Sequence, residues 1–138
     1  MHISTRCRYA IKALIRLALS LDDRPVQGRE IAGFGGIPPK FLEQVMHDLR
    51  QAGFVTSRRG KHGGYRLAID PAQITFADVR EIIDGPFSIG GRMPGTGQAD
   101  ALVDPVWEDV RQAVHQVLAG ATIAAAAQRA QTADMYYI

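Results

Sequence analysis

The chain has 138 residues, 46% hydrophobic and 22% charged, a balance that suits one compact domain with an appendage. No apolar run is long and charge-free enough to span a bilayer, and the single cysteine, Cys7, rules out an intrachain disulfide and fits a reducing cytoplasm. The formal charge of +2 hides an asymmetry: residues 1–70 carry 12 Lys/Arg against 6 Asp/Glu, and residues 71–138 carry 4 against 8. A basic half joined to an acidic half points to a polyanion-binding module coupled to a part that does not touch the polyanion.

The N-terminal stretch MHISTRCRYAIKALIRLALSL interleaves Arg6, Arg8, Lys12 and Arg16 with its apolar residues, and no small-residue cleavage site follows. It therefore reads as a helix and not as a signal peptide. Ser4 or Thr5 can cap it, and it is expected to run to about Leu21. Apolar residues cover most of its circumference and leave one polar stripe, Arg8, Lys12, Arg16 and Ser20. A helix this apolar must be covered on most sides, so it is the expected centre of the core. A short helix follows over about Gly28–Phe34, broken by Gly35-Gly36.

The next helix starts near Pro38-Pro39, where proline is tolerated in the first turn. At about 100° per residue, Phe41, Leu42, Val45, Met46, Leu49 and Ala52 share one side. Lys40, Glu43, Gln44, His47 and Gln51 share the other. Gln can pair with adenine, Glu can accept from cytosine N4, and Lys can donate to guanine, so this polar face suits base-edge reading in a major groove. Gly53 ends the helix. Phe54–Ser57 and Tyr65–Ala68 then read as strands around a basic turn, Arg58-Arg59-Gly60-Lys61-His62-Gly63-Gly64. The cations and His62 suit phosphate contacts or insertion into a narrow minor groove, and the glycines allow close approach of backbone to DNA. A reading helix followed by a basic hairpin is a winged helix-turn-helix, whose ligand is duplex DNA.

Phe76–Asp84 reads as a short helix stopped by Gly85-Pro86, and Phe87–Ala101 as a Gly-rich loop. Asp104 is the expected cap and Pro105 the first residue of a long helix. On it Val103, Trp107, Val110, Val114, Val117 and Ala121 recur at spacings of four and three, a coiled-coil seam that wants a partner. A break at Gly120–Thr122 precedes an alanine-rich helix, Ile123–Ala130, and the tail MYYI. The expected organisation is a DNA-binding domain over 1–86, a loop over 87–103, and dimerisation and C-terminal helices over 104–138. The fold class is mainly α with a small β-wing.

The segments STRCRYAIKALIRLAL, GREIAGFGGIPPKFLEQVMHDLRQAGFVTSRRGKHGGYRLA and ITFADVREIIDGP closely resemble bacterial regulators of the Rrf-two type, the family of the iron–sulphur cluster regulator and the nitric-oxide-sensitive repressor. The resemblance implies a homodimer on palindromic promoter DNA. It implies a recognition helix over Pro39–Arg50, with Lys40, Phe41, Glu43 and Gln44 nearest the bases, Arg50 on the backbone, and Arg59 and Gly60 at the wing tip. Cluster-binding members carry three cysteines in the loop before the dimerisation helix. The matching stretch here, GPFSIGGRMPGTGQADALVD, has none, so no iron–sulphur cluster is expected and the sensing input is left open. Cys7, in a first helical turn between Arg6 and Arg8, is a candidate redox or effector residue, because that setting favours thiolate. In some relatives, residues beside this position reach the partner subunit's effector pocket.

His2, His47, His62 and His115 lack metal-ligand spacing, the GRMPGTG run lacks the Lys-Ser/Thr of a P-loop, and no catalytic arrangement stands out. The expected function is a DNA-binding transcription regulator, a homodimeric repressor and not an enzyme. The alternative is an interaction sensor whose acidic half docks a metabolic protein.

Overall fold

A computed structural model describes residues 2–20, 22, 24–87 and 97–136, with side chains as far as residue 132. Helix α1, Thr5–Ala18, begins where Ser4 Oγ accepts from the Cys7 backbone N–H at 3.0 Å. Its buried face, Cys7, Ala10, Ala13, Leu14 and Leu17, is the centre of the core, and α2, α3, α4 and α6 pack around it. The polar stripe also works structurally: Lys12 Nζ donates to the Gly35 carbonyl at 3.2 Å and Arg16 pairs with Glu30 at 3.4 Å, so it lies along α2. Helix α2 spans Gly28–Gly35, and Gly36 ends it in the left-handed region at φ 60°.

Helix α3, Pro39–Gln51, has proline in its first turn, as its sequence requires. Leu42, Val45, Met46 and Leu49 are buried against the core. Two residues expected on that side are not: Ala52 and Phe41 are exposed, Phe41 by 44%. Gly53, at φ 83°, turns the chain into the hairpin. Strands β1 (Val55–Arg58) and β2 (Gly64–Leu67) are antiparallel with Val55 opposite Leu67 and Arg58 opposite Gly64, one residue displaced from the expected bounds. A third segment joins this sheet: Val26 and Tyr65 exchange both backbone hydrogen bonds at 2.8 Å. Val26 ties the wing to the loop before α2.

Helix α4, Phe76–Asp84, has the expected bounds, and a capping box sets its start. Asp78 N–H donates to Thr75 Oγ1, and Asp78 Oδ2 accepts from Thr75 N–H. Helix α5, Asp100–Gly120, starts earlier than Asp104. The Ala99 carbonyl accepts from Leu102 and Val103, which builds a turn upstream of the expected cap and leaves Pro105 inside the helix. Residues 88–96 of the Gly-rich stretch, and the last two residues of the tail, lie outside the described residues.

After α5 the chain bonds back to the domain. Phe76 N–H donates to the Ala121 carbonyl at 2.8 Å and Ile123 N–H to the Ile74 carbonyl at 2.9 Å. Helix α6, Ile123–Tyr136, is longer than the expected Ile123–Ala130, and Ile123 and Ala127 are buried where it packs on α1. No described helix is long and apolar enough to cross a membrane.

Candidate nucleic-acid interface

Burial of Leu42, Val45, Met46 and Leu49 decides which side of α3 is left to solvent, because side chains three and four apart share a face. Pro39, Lys40, Glu43, Gln44, His47, Arg50 and Gln51 are all exposed. Glu43, Gln44 and His47 border a shallow open depression of about 330 Å³ together with Arg6 and Asp48. Phe41 keeps its place at the start of this helix, next to Tyr9, with ring centroids 6.1 Å apart and planes inclined at 51°. It is a partly exposed aromatic beside the exposed polar face, and not a core residue.

Arg50 joins the helix to the wing: Nη1 donates to Ser57 Oγ on β1 at 3.1 Å. The wing carries Arg58, Arg59, Gly60, Lys61 and His62 exposed at its tip. The tip is a four-residue turn closed by Gly63 N–H donating to the Gly60 carbonyl at 2.9 Å, with Lys61 and His62 at its two central positions. Gly60, at φ 108°, has open space where a side chain would stand.

Gly63 and Gly64 have a reason to be glycine inside the chain itself, apart from the close approach to DNA expected of them. A Cβ on Gly63, which is buried, would lie 2.1 Å from the Arg58 carbonyl oxygen. One on Gly64 would lie 2.5 Å from that of Val26, and Gly64 also holds φ 146°. Both are glycine because protein backbone crowds them. The exposed, cationic part of the wing is Arg58–His62, with Gly63 and Gly64 closely packed against backbone behind it.

Cys7 is fully buried, and the thiolate expected from its neighbours is not what its surroundings favour. Burial pushes its thiol up to about 11 from an ordinary 9.0, the nearby Asp84 carboxylate adds to this, and Arg80 and Arg8 offset only part. The arginines that suggested a reactive cysteine are outweighed by desolvation. Among the described residues no group of three or more His, Cys, Asp or Glu side chains could hold a metal ion.

On α5 no residue is buried by the chain's own fold, and its main packing partner is α4. Val103, Trp107, Val110 and Val117 are between 39% and 72% exposed, as are Leu102 and Val106 or more so, while Val114 is half-buried. The seam is not consumed inside the chain. Beside it, Arg111 donates to Glu108 and holds that carboxyl below its usual range.

Two residues of this surface carried no signal in the sequence. Arg6, on the first turn of α1, places Nη2 at 2.7 Å from Asp48 Oδ2 of α3, across 42 residues of chain. Val26, the third member of the wing sheet, lies in a segment too short to show strand periodicity.

The geometry agrees with comparison to known proteins. The Rrf2 family model, described as an iron-dependent transcriptional regulator, matches residues 3–129. The chain Rv1287 of Mycobacterium tuberculosis is 38% identical over 129 residues, covering 90% of this chain and 80% of its own. The HTH-type transcriptional regulator CymR of Bacillus subtilis is 34% identical over 141 residues, covering the whole of both chains. Among solved structures, that of CymR, the global cysteine regulator of B. subtilis, superposes with a TM-score of 0.82 at 32% identity, over 94% of this chain and 98% of its own. That of T. potens IscR gives 0.78 at 31%, over 96% and 90%. The family's description invokes iron, but one buried thiol is not a donor set for a cysteine-ligated cluster. With an exposed polar face on α3, a basic wing and matches along nearly its whole length, this chain belongs to the Rrf2 family of DNA-binding, winged-helix transcriptional regulators.

Proposed function

We propose that the chain acts in the cytoplasm as a homodimeric repressor that pairs through α5 and reads a pseudo-palindromic operator with two copies of α3. The observation that carries this is the apolar row on α5, uncovered within the chain, in the same molecule as an exposed reading face. A two-fold dimer presents its recognition helices about one DNA turn, ~34 Å, apart, which is the spacing of palindromic half-sites. A dimer seated over a promoter excludes polymerase, hence repression.

The input is a signal other than a cysteine-ligated iron–sulphur cluster. This rests on the sequence, whose one cysteine sits in the core of α1. Within the site, Lys40, Glu43, Gln44 and His47 have the side chains and exposure for base edges. Arg50, Arg58, Arg59 and Lys61 have those for phosphates.

The test is selection of bound sequences from random DNA with purified protein, under reducing and oxidising conditions. A single palindromic consensus is expected, unchanged by oxidation. Glu43→Ala or Gln44→Ala should alter the consensus. Arg59→Ala should weaken all sequences alike and reduce the slope of log affinity against log salt by about one. Equal binding of scrambled and palindromic DNA would sink the proposal. A monomer that needs a different protein to bind DNA would favour the interaction-sensor alternative.

A further inference from the structure

Asp48 sits one helical turn beyond Gln44 and next to His47, so α3 carries a carboxylate at the edge of the surface that meets DNA. Its side chain is 31% exposed, and a carboxylate there faces phosphates across less than a few Debye lengths, ~8 Å each at physiological salt. Among the described residues the cation paired with it is Arg6, whose guanidinium arrives from α1 and borders the same depression as Glu43, Gln44 and His47. The first turn of α1 is itself pinned: Ser4 donates through both its backbone N–H and its Oγ to Asp84 of α4, while Ser4 Oγ caps Cys7. Arg6 Nε is buried with no acceptor, so the guanidinium is wedged against Asp48 with its hydrogen bonding incomplete. Half-exposed pairs add little to stability, and a buried unpaired N–H subtracts from it, so fold stability does not explain the arrangement.

We propose that Arg6 is a positioning residue for DNA reading: it neutralises and tethers Asp48 so that α3 can approach the phosphate backbone without a bare carboxylate. The inference rests on α3 being the reading helix. Its function lies in removing a repulsion, not in touching DNA, and this makes its signature unusual. Deleting the cation should harm binding, and deleting the carboxylate as well should repair it.

The experiment uses the full chain and the duplex recovered from the random-sequence selection, with a scrambled duplex as control, followed by fluorescence anisotropy at two salt concentrations. Arg6→Ala is expected to weaken binding about tenfold at low salt and less at high salt, because repulsion between like charges is screened. Asp48→Asn alone, and Arg6→Ala with Asp48→Asn, should both bind within about threefold of the original chain. Arg6→Lys should do the same, and Arg6→Gln serves in place of Arg6→Ala if that variant does not fold.

A double variant as weak as Arg6→Ala would mean that Arg6 contacts DNA itself, and would overturn the proposal. So would Asp48→Asn being as weak as Arg6→Ala, the mark of a structural brace, or an Arg6→Ala chain that binds normally. If the original chain does not prefer the selected duplex to the scrambled one, the reading-helix assignment has failed, and with it the basis of this one. That outcome is visible before any variant is made.

Discussion

At Cys7 two local influences oppose each other, and their balance sets the chemistry. A first helical turn and flanking arginines favour thiolate, whereas complete burial and the neighbouring Asp84 favour the thiol. The folded chain holds the proton up to about pH 11, and an unfolded cysteine loses it near 9.0. The stability contributed by the protonated thiol is therefore intact below about pH 9 and is lost as pH rises through about 11. Urea unfolding of the original chain should weaken across that window more than unfolding of Cys7→Ala does, the difference isolating this group from the lysines and tyrosines. Near neutral pH, iodoacetamide should label Cys7 slowly in the native chain and quickly in urea; rapid native labelling would show that the thiol is open to solvent. The sequence displayed both arginines but not Asp84, which lies on α4 and meets α1 only in the folded chain.

Among the elements, those whose limits are written in local chemistry agree closely between sequence and structure. Helix α4 keeps its bounds because Phe76, Val79, Ile82 and Ile83 have helical spacing and Gly85-Pro86 stops it. Helix α3 keeps its start at the prolines for the same kind of reason. Helix α5 does not, because Asp104-Pro105 is a strong start signal that an upstream turn on the Ala99 carbonyl overrides. The wing was legible as a basic glycine-rich hairpin, but the reason for its glycines was not. Their neighbours are the Arg58 and Val26 carbonyls, one of them 38 residues away in the chain, and no local pattern encodes that approach. Gly63→Ala should therefore cost about 1–3 kcal/mol in thermal or urea unfolding and loosen DNA of every sequence together. A fully stable Gly63→Ala chain would mean that the hairpin yields easily. The Arg6–Asp48 pair was equally out of reach, since each residue by itself looks like ordinary surface charge.

On the scale of the whole molecule, the division into a basic and an acidic half matches a division between two exposed surfaces. The exposed polar face of α3 and the wing belong to the basic half, and the exposed apolar row to the acidic one. Val110 stands in the middle of that row and is 39% exposed within its own chain. Val110→Asp should leave the winged-helix domain folded by circular dichroism and turn a dimer into a monomer by light scattering. It should cut affinity for a full palindrome by about 100-fold or more, since the second half-site then has to be captured from solution. Binding to an isolated half-site should change little. A monomer in the unmodified chain at micromolar concentration would refute pairing through α5.

The return of the chain after α5 has a consequence for operator architecture. Thr75 and Thr122 lie opposite each other in a two-sided hydrogen-bonded bridge, and α6 then anchors into the core on α1. In the proposed dimer the pairing helix is thus fastened to its winged-helix domain by a hydrogen-bonded joint. One inserted base pair moves the second half-site by ~3.4 Å and turns it by ~34° about the duplex. A glycine linker would absorb such an offset, but a bridged joint transmits it as strain. In the proposed dimer, the permitted gap between half-sites is a dimension machined into the protein, and promoters are sorted by their spacing as well as by their bases.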